Sequence, residues 1–282
     1  LRLGIPQHIN MEQITEIIRL YSDGYSARSL ATIHGVSAST ITRWLKNNGI
    51  LVRSPYDFSI TSTNNRKTYF FNKDFFLKDS NELAYMMGFA LADGNLYFSK
   101  KHGYAKLNFS IHQKDILILE YFQKISSYNK NIVDLHDRPH MKKLLYTDPI
   151  FRNVDFSKWG LVPRKTYHPA TLNINHNYIR PFIIGYIDGD GSIRFERGKG
   201  YKFNIVGNKY IIDQIVLYIN NLDSNFIFEW HWEDPPDKVW KRAILTKREQ
   251  VLHLVKILEP WDHFHLPRKW DAAIEHIKNE KI

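Results

Sequence analysis

The sequence predicts an α+β protein, in which a small all-α unit is followed by two copies of an αββαββα repeat. Three observations predict this. A segment recurs at a spacing of 97 residues, as LAYMMGFALADGNL at residues 83–96 and RPFIIGYIDGDGSI at residues 180–193. After each copy the apolar period changes from that of a helix to that of a strand and back again. Ahead of both, the first fifty residues carry three short helical stripes separated by turn residues. The expected boundaries are residues 1–50 for the all-α unit, 51–79 for an extended linker, 80–175 for repeat 1 and 176–282 for repeat 2.

At 282 residues the chain can bury more than one core without disulfides, and it contains no cysteine. Thiol catalysis and zinc-ribbon modules are therefore excluded, and a reducing, intracellular setting is expected. Lysine and arginine number 39 against 29 aspartates and glutamates, a net charge of +10 that makes a polyanion the natural partner. No apolar stretch reaches the length of a membrane span, so no membrane partner is expected.

In the first unit, Ile14, Ile17, Ile18 and Tyr21 form the apolar stripe of one helix, and Asp23 and Gly24 end it. Ser26 caps a second short helix bearing Leu30, Ala31 and Ile33, and Gly35 supplies the turn after it. A third helix begins at Ser37, with Val36, Ile41, Trp44 and Leu45 facing the core. Its opposite face presents Ser39, Thr40, Thr42, Arg43 and Lys46, donors suited to base edges and phosphates. The run YSDGYSARSLATIHGVSASTITRWLKNNG resembles resolvase-type helix-turn-helix modules. In the linker, Arg53, Arg66 and Lys67 are expected along a phosphate backbone.

The two recurring segments carry a ridge of small residues, Ala84, Gly88 and Ala92 in the first and Pro181, Gly185 and Gly189 in the second. Small residues at that spacing let two helix backbones pack closely, so the pair is expected to pack together. Each ridge ends in an acid followed by glycine, Asp93-Gly94 and Asp190-Gly191, and the glycines are expected in the left-handed conformation that ends helices. The acids oppose the negative end of the helix dipole. Two such ends brought together gather Asp93, Asp190 and the carbonyls of Ala92 and Gly189 into one oxygen-rich place. A hard divalent cation, Mg²⁺ foremost, relieves that repulsion, with Mn²⁺ as a substitute.

These segments look like the paired signature helices of the LAGLIDADG homing endonucleases in their double-motif, single-chain form, over roughly residue 67 to the C-terminus. The resemblance implies two pseudo-symmetric repeats forming a DNA-binding saddle. Asp188 has no acidic counterpart in the first segment, where Leu91 stands, and is expected to make a secondary polar contact.

Downstream of each segment the outward residues alternate with an oily face. They are Asn95, Tyr97, Ser99, Lys106, Asn108 and Ser110 in repeat 1, and Ser192, Arg194, Glu196, Lys202 and Asn204 in repeat 2. Amides, hydroxyls and cations of this kind suit major-groove reading, the role the resemblance implies. The motifs LVPRK at residues 161–165 and HLPRK at residues 265–269 echo one another. By resemblance Lys165 lies beside the active site, Gln113 with Lys114 and Asn208 with Lys209 help complete it, and Lys247 is a further candidate; Lys269 is expected to contact DNA.

The implied activity is divalent-metal-dependent double-strand cleavage of a long, non-palindromic DNA target by a monomer, leaving 3′ overhangs. Ca²⁺ is expected to support binding without turnover. The alternatives are an intron RNA maturase on the same scaffold and a non-cutting regulator; the regulators that join degenerate repeats to a helix-turn-helix have lost the acids that this chain keeps at Asp93 and Asp190. No HNH or GIY-YIG signature is present, and with no N-terminal cysteine or serine and no C-terminal His-Asn an intact self-splicing intein is not expected.

Overall fold

The structure, a computed structural model, describes residues 11–23, 25–52, 69–99, 104–196, 200–232 and 239–279. Gly24, Arg53, Arg66 and Lys67, with the side chains of Phe195, Glu196 and Trp232, lie outside the described residues. The chain divides into two compact units, Leu1–Tyr69 and Phe70–Ile282.

The first unit holds α1 (Met11–Ser22), α2 (Ala27–Ile33) and α3 (Ala38–Asn47). Ser26 and Ser37 cap the second and third helices, accepting from Ser29 N at 2.9 Å and Thr40 N at 3.1 Å. Gly35 adopts φ +63° between them, a backbone that a β-carbon would strain. Ile17, Tyr21, Leu30, Ala31, Ile41 and Leu45 close a core of their own.

The second unit contains α4 (Asn81–Asp93), β1 (Gly94–Phe98), β2 (Ala105–His112), α5 (Ile116–Ile125), β3 (Val133–Leu135) and β4 (Arg138–Asp148) in repeat 1. Repeat 2 supplies α6 (Ile179–Asp190), β5 (Gly191–Glu196), β6 (Gly200–Asn208), α7 (Lys209–Leu222), β7 (Glu229–Trp232), β8 (Trp240–Leu245), α8 (Arg248–Leu258) and α9 (Pro267–Asn279). Each repeat forms a four-stranded antiparallel sheet of the same order, β1-β2-β4-β3 and β5-β6-β8-β7. The first repeat closes differently from the second. Where an α-helix is expected, it has two 3₁₀ turns, Pro149–Arg152 and Ser157–Trp159, and Gly160 at φ +74° ends the second.

Residues 70–79, expected as the end of an extended linker, belong to the second unit. Phe71 and Phe76 are buried in repeat 1, Phe71 stacking on Phe151 at 5.5 Å and meeting Tyr128 and Tyr146 edge-on. Ser80 then caps α4, accepting from Leu83 N at 3.1 Å. Residues Leu83–Leu91 of α4 are buried on every side, as are most of α6, so both helices lie inside one core shared by the repeats. Strand β2 alternates as expected: Leu107, Phe109 and Ile111 point into that core, while Lys106, Asn108 and Ser110 point away from it. In repeat 2 Phe226 and Phe228 are core residues, but Trp230 lies at the sheet edge, half exposed beneath the Lys241 ammonium at 3.5 Å.

Candidate functional site

The second unit is organised around the crossing of α4 and α6. A β-carbon on Gly88 would lie 1.9 Å from Phe182 O and 3.0 Å from Tyr186 N. One on Gly185 would lie 2.1 Å from Tyr85 O and 3.0 Å from Phe89 N. At the repeat spacing Tyr85 corresponds to Phe182 and Phe89 to Tyr186, so the two contacts are a single contact made twice. That reciprocity is the mark of a twofold axis through the crossing. Near the helix ends, a β-carbon on Gly189 would come within 2.3 Å of Ala92 Cβ. The next residues, Asp93 and Asp190, are the last of their helices.

Gly94 and Gly191 do not adopt the expected left-handed conformation. Their φ values are −84° and −99°, and each already begins a strand. Their need for glycine is steric instead: a β-carbon would meet Cα of Ala90 or Ile187 at 2.6 Å, since the strand leaves over the helix's own last turn.

Both carboxyls are held above the ordinary range. For Asp93 the cause is burial, offset by Lys269 and Lys165; the residue keeps one side open to solvent while protein surrounds the rest. Asp190 is pushed up to about 6 by burial and then by the charge of Asp93. Crowded, partly desolvated carboxylates at the negative ends of two helices fit a hard cation, which takes one or two carboxylates and fills its shell with phosphate oxygens and water. Among the described residues no three His, Cys, Asp or Glu side chains gather as a cation site.

The two echoing lysines grip those carbonyls. Lys165 Nζ donates to Leu91 O at 2.5 Å and Ala92 O at 2.6 Å. Lys269 Nζ donates to Ile187 O at 2.9 Å, Asp188 O at 2.7 Å, Gly189 O at 3.0 Å and Gly191 O at 2.8 Å. Each ammonium therefore sits at the carbonyl end of one helix, complementing its dipole. Burial lowers both lysines to about 8. The expectation that Lys269 faces DNA does not hold, because the side chain is only 7 % exposed. Ala92 O and Gly189 O, expected as cation ligands, each already accept one lysine proton.

Asp188 is buried and accepts from Tyr85 OH at 2.8 Å, Leu266 N at 2.8 Å and Trp270 Nε1 at 2.7 Å. It is the secondary polar contact expected of it, and it ties α4, α6 and the start of α9 together. A second tie joins the repeats at the surface, where Arg268 grips Asp115 through two bonds of 2.6 and 2.7 Å. Neither tie is visible in sequence, since the bonds join residues 78 to 153 positions apart.

Two hollows flank the carboxyls. A small one of about 40 Å³ beside Asp190 is lined by Lys165, Thr166, Tyr186 and Asn208. The other, beside Asp93, is lined by Ser110, His112, Lys114 and Arg268. Neither contains Gln113 or Lys247; Gln113 is exposed in a 3₁₀ turn and Lys247 is exposed at the start of α8. The register explains the miss. His112 accepts from Lys114 N as Asn208 accepts from Tyr210 N, so His112, not Gln113, is the counterpart of Asn208.

On the sheet faces Asn95 pairs with Asn108 and Tyr97 with Lys106, as Ser192 pairs with Asn204 and Arg194 with Lys202. These outward pairs match expectation. Ser99 does not, being buried with its carbonyl bound by Arg152. Lys143 and Thr147, opposite Ser110 and Lys106, extend the polar face and were signalled only by alternation along residues 143–147. On α3, Ser39, Thr42, Arg43, Lys46 and Asn47 line one shallow hollow. The Thr40 and Thr42 hydroxyls bond to Ser37 Oγ and Ala38 O, leaving Arg43, Lys46 and Asn47 as the long donors.

Residues 12–49 match the homeodomain-like domain family. No curated protein matches the chain. Among solved structures, it is similar to the I-LtrWI LAGLIDADG homing endonuclease bound to target DNA, with 13% identity and a TM-score of 0.45 over 74% of this chain and 92% of that one. It is similar to I-DmoI in complex with DNA and Ca, with 18% identity and a TM-score of 0.49 over 70% of this chain and 97% of that one. For I-SmaMI bound to an uncleaved DNA target with calcium ions the values are 12% and 0.46, over 72% and 93%. The chain is thus similar in fold to LAGLIDADG homing endonucleases, with a match to the homeodomain-like family at its N-terminus.

Proposed function

We propose that the second unit is a site-specific endonuclease for double-stranded DNA and that the first unit adds DNA affinity. The observation that carries this reading is the pair Asp93 and Asp190, brought to the meeting ends of two crossed helices and flanked by lysines, between two sheets with polar outer faces. A lone carboxylate at a helix end is unfavourable. Two together are sustained by what they bind.

Asp93 and Asp190 would hold a divalent cation, Mg²⁺ in turnover, with the carbonyls of Ala92 and Gly189 adjoining. When bound, the cation supplies charge neutralisation at the scissile phosphate and acidifies its water. Lys165, lining the hollow beside Asp190, donates toward the phosphate oxygens. Asn208 on that side and His112 with Lys114 on the other orient water. The outward pairs Asn95–Asn108 and Tyr97–Lys106 read one half-site; Ser192–Asn204 and Arg194–Lys202 read the other. Since Tyr97 and Arg194 occupy matching positions with unlike chemistry, the target is non-palindromic and one chain reads all of it. Arg43, Lys46 and Asn47 extend the contact.

The test is selection of cleavable duplexes from a randomised library with Mg²⁺, followed by light scattering of the complex with Ca²⁺. A non-palindromic duplex bound by one chain is expected. Recovery of no cleavable duplex defeats the proposal, and a palindrome bound by two chains defeats its single-chain part.

A further inference from the structure

The two hollows beside the carboxyls are built alike. Asn208 stands in one where His112 stands in the other, and Tyr186 where Phe89 stands. Their rims also correspond. Trp240 of β8 lies opposite Asn208 in the sheet register and lines the hollow beside Asp190, while Met141 of β4 lies opposite His112 and lines the hollow beside Asp93. Alternation puts both on the outer faces, because Ala243 and Leu245 of β8 and Leu144 and Tyr146 of β4 face the core. What the rims offer is different. Trp240 keeps 37 % of its surface exposed at a hollow of about 40 Å³, whereas Met141 is half-buried beside one of about 280 Å³.

We propose that Trp240 packs on the sugar beside the phosphate cut at Asp190 and makes that cut selective for deoxyribose, while Met141 leaves the other cut tolerant of ribose. The proposal rests on the endonuclease reading above. A phosphate that reaches Asp190 brings its flanking sugars against the indole, since Trp240 and Asp190 line one narrow hollow. Deoxyribose is the least polar part of the backbone, with only hydrogens on C2′, and a large aromatic face covers such a surface well. Ribose puts a hydroxyl there instead, the group by which a protein tells RNA from DNA. Pressed on an indole in a narrow hollow, that hydroxyl loses its water, which is unfavourable. Beside Met141 the wider hollow lets it stay hydrated.

The experiment uses the full chain and a duplex recovered by selection, its strands labelled differently, with one ribonucleotide placed in turn at each position flanking the cut phosphates. With Mg²⁺, a ribose beside one of the two cuts is expected to slow that strand by about tenfold in the wild type, and a ribose beside the other cut by less than about twofold. Trp240→Ala should bring the ribose effect below about twofold, and Trp240→Phe should keep most of it. Met141→Trp should carry the effect to the second strand. General damage to the fold slows ribose and deoxyribose duplexes by one common factor, so the ratio of the two isolates the contact. An undiminished ratio in Trp240→Ala, or no ribose effect at either cut in the wild type, overturns the proposal. So does a Trp240→Ala defect coupled to thymine-to-uracil exchange instead, which would make the indole a reader of the thymine methyl. Should Trp240→Ala not fold, the transfer of the effect by Met141→Trp decides alone. If the chain selects duplexes by binding and cuts none, the endonuclease reading fails, and the same ratios read from affinity with Ca²⁺ decide the sugar contact by themselves.

Discussion

Alanine at Gly88 offers the sharpest physical test of the helix crossing. The added β-carbon would lie 1.9 Å from Phe182 O, and the partner atom is backbone in a buried helix, so no side chain can swing aside. Ordinary carbon–oxygen contact needs roughly 1.5 Å more, and a packed interior opens by that distance only as a unit. Overpacking costs about 1–3 kcal/mol where side chains can adjust, and this site belongs at or above the upper end. Against it stands the better helix propensity of alanine, about 1 kcal/mol. A net loss of about 2 kcal/mol or more is expected, read as a lower urea midpoint by circular dichroism. Gly185→Ala meets Tyr85 O at 2.1 Å across the same crossing and should cost a similar amount. Because separating the helices for one methyl makes room for the other, the double variant should fall short of the sum by about 1 kcal/mol or more. Stabilisation by either alanine, or strict additivity of the pair, would refute the reciprocal crossing.

Four further outcomes follow from other parts of the molecule. Asp188→Leu copies Leu91 into the second half but strands the Tyr85, Leu266 and Trp270 donors, at about 1–3 kcal/mol each if unrelieved; a urea midpoint change equivalent to less than about 1 kcal/mol would contradict the network. Asp190 has its pKa raised from 3.8 to about 6, so the folded chain holds its proton longer than the unfolded chain. Stability from this group is present below 3.8 and is lost as pH rises through about 6. In EDTA the wild type should therefore lose stability relative to Asp190→Asn across that window, and Mg²⁺ should restore it; parallel curves would count against the crowded carboxylates. Deleting residues 1–50 should shorten the protected DNA at one end while leaving the cut phosphates unchanged, and an unaltered footprint would remove the first unit from DNA binding. Arg43→Ala should cost about 1–3 kcal/mol at one base position if it reads guanine, or weaken all sequences alike if it touches phosphate.

The elements legible in the sequence are those set by local chemistry. The serines at Ser26 and Ser37 that start helices, the alternation of β2 and the small-residue ridges of α4 and α6 each depend on neighbours within a few positions or on simple repetition. What escaped depends on distance or on register. The carboxylate of Asp188 finds its three donors from residues 85, 266 and 270, and nothing local announces them. Gln113 was one position from His112, because the end of a strand is where alternation ceases to guide. Gly94 and Gly191 looked like helix-ending glycines, but a strand that folds straight back over the helix demands a missing side chain rather than a left-handed backbone. Lys269 was the most informative miss, since the echo LVPRK and HLPRK already paired it with Lys165 and could have removed it from the DNA face.

The central claim is that Asp93 and Asp190 form one cutting centre rather than two ordinary helix ends. It is tested most directly by measuring cleavage and binding together on the selected duplex, with Mg²⁺ for cleavage and Ca²⁺ for affinity, for the wild type, Asp93→Asn and Asp190→Asn. Loss of cutting on both strands in either variant, with affinity within about tenfold of the wild type because the carboxylates hold a cation and read no base, is the expected result. Retained double-strand cleavage in either variant would contradict it.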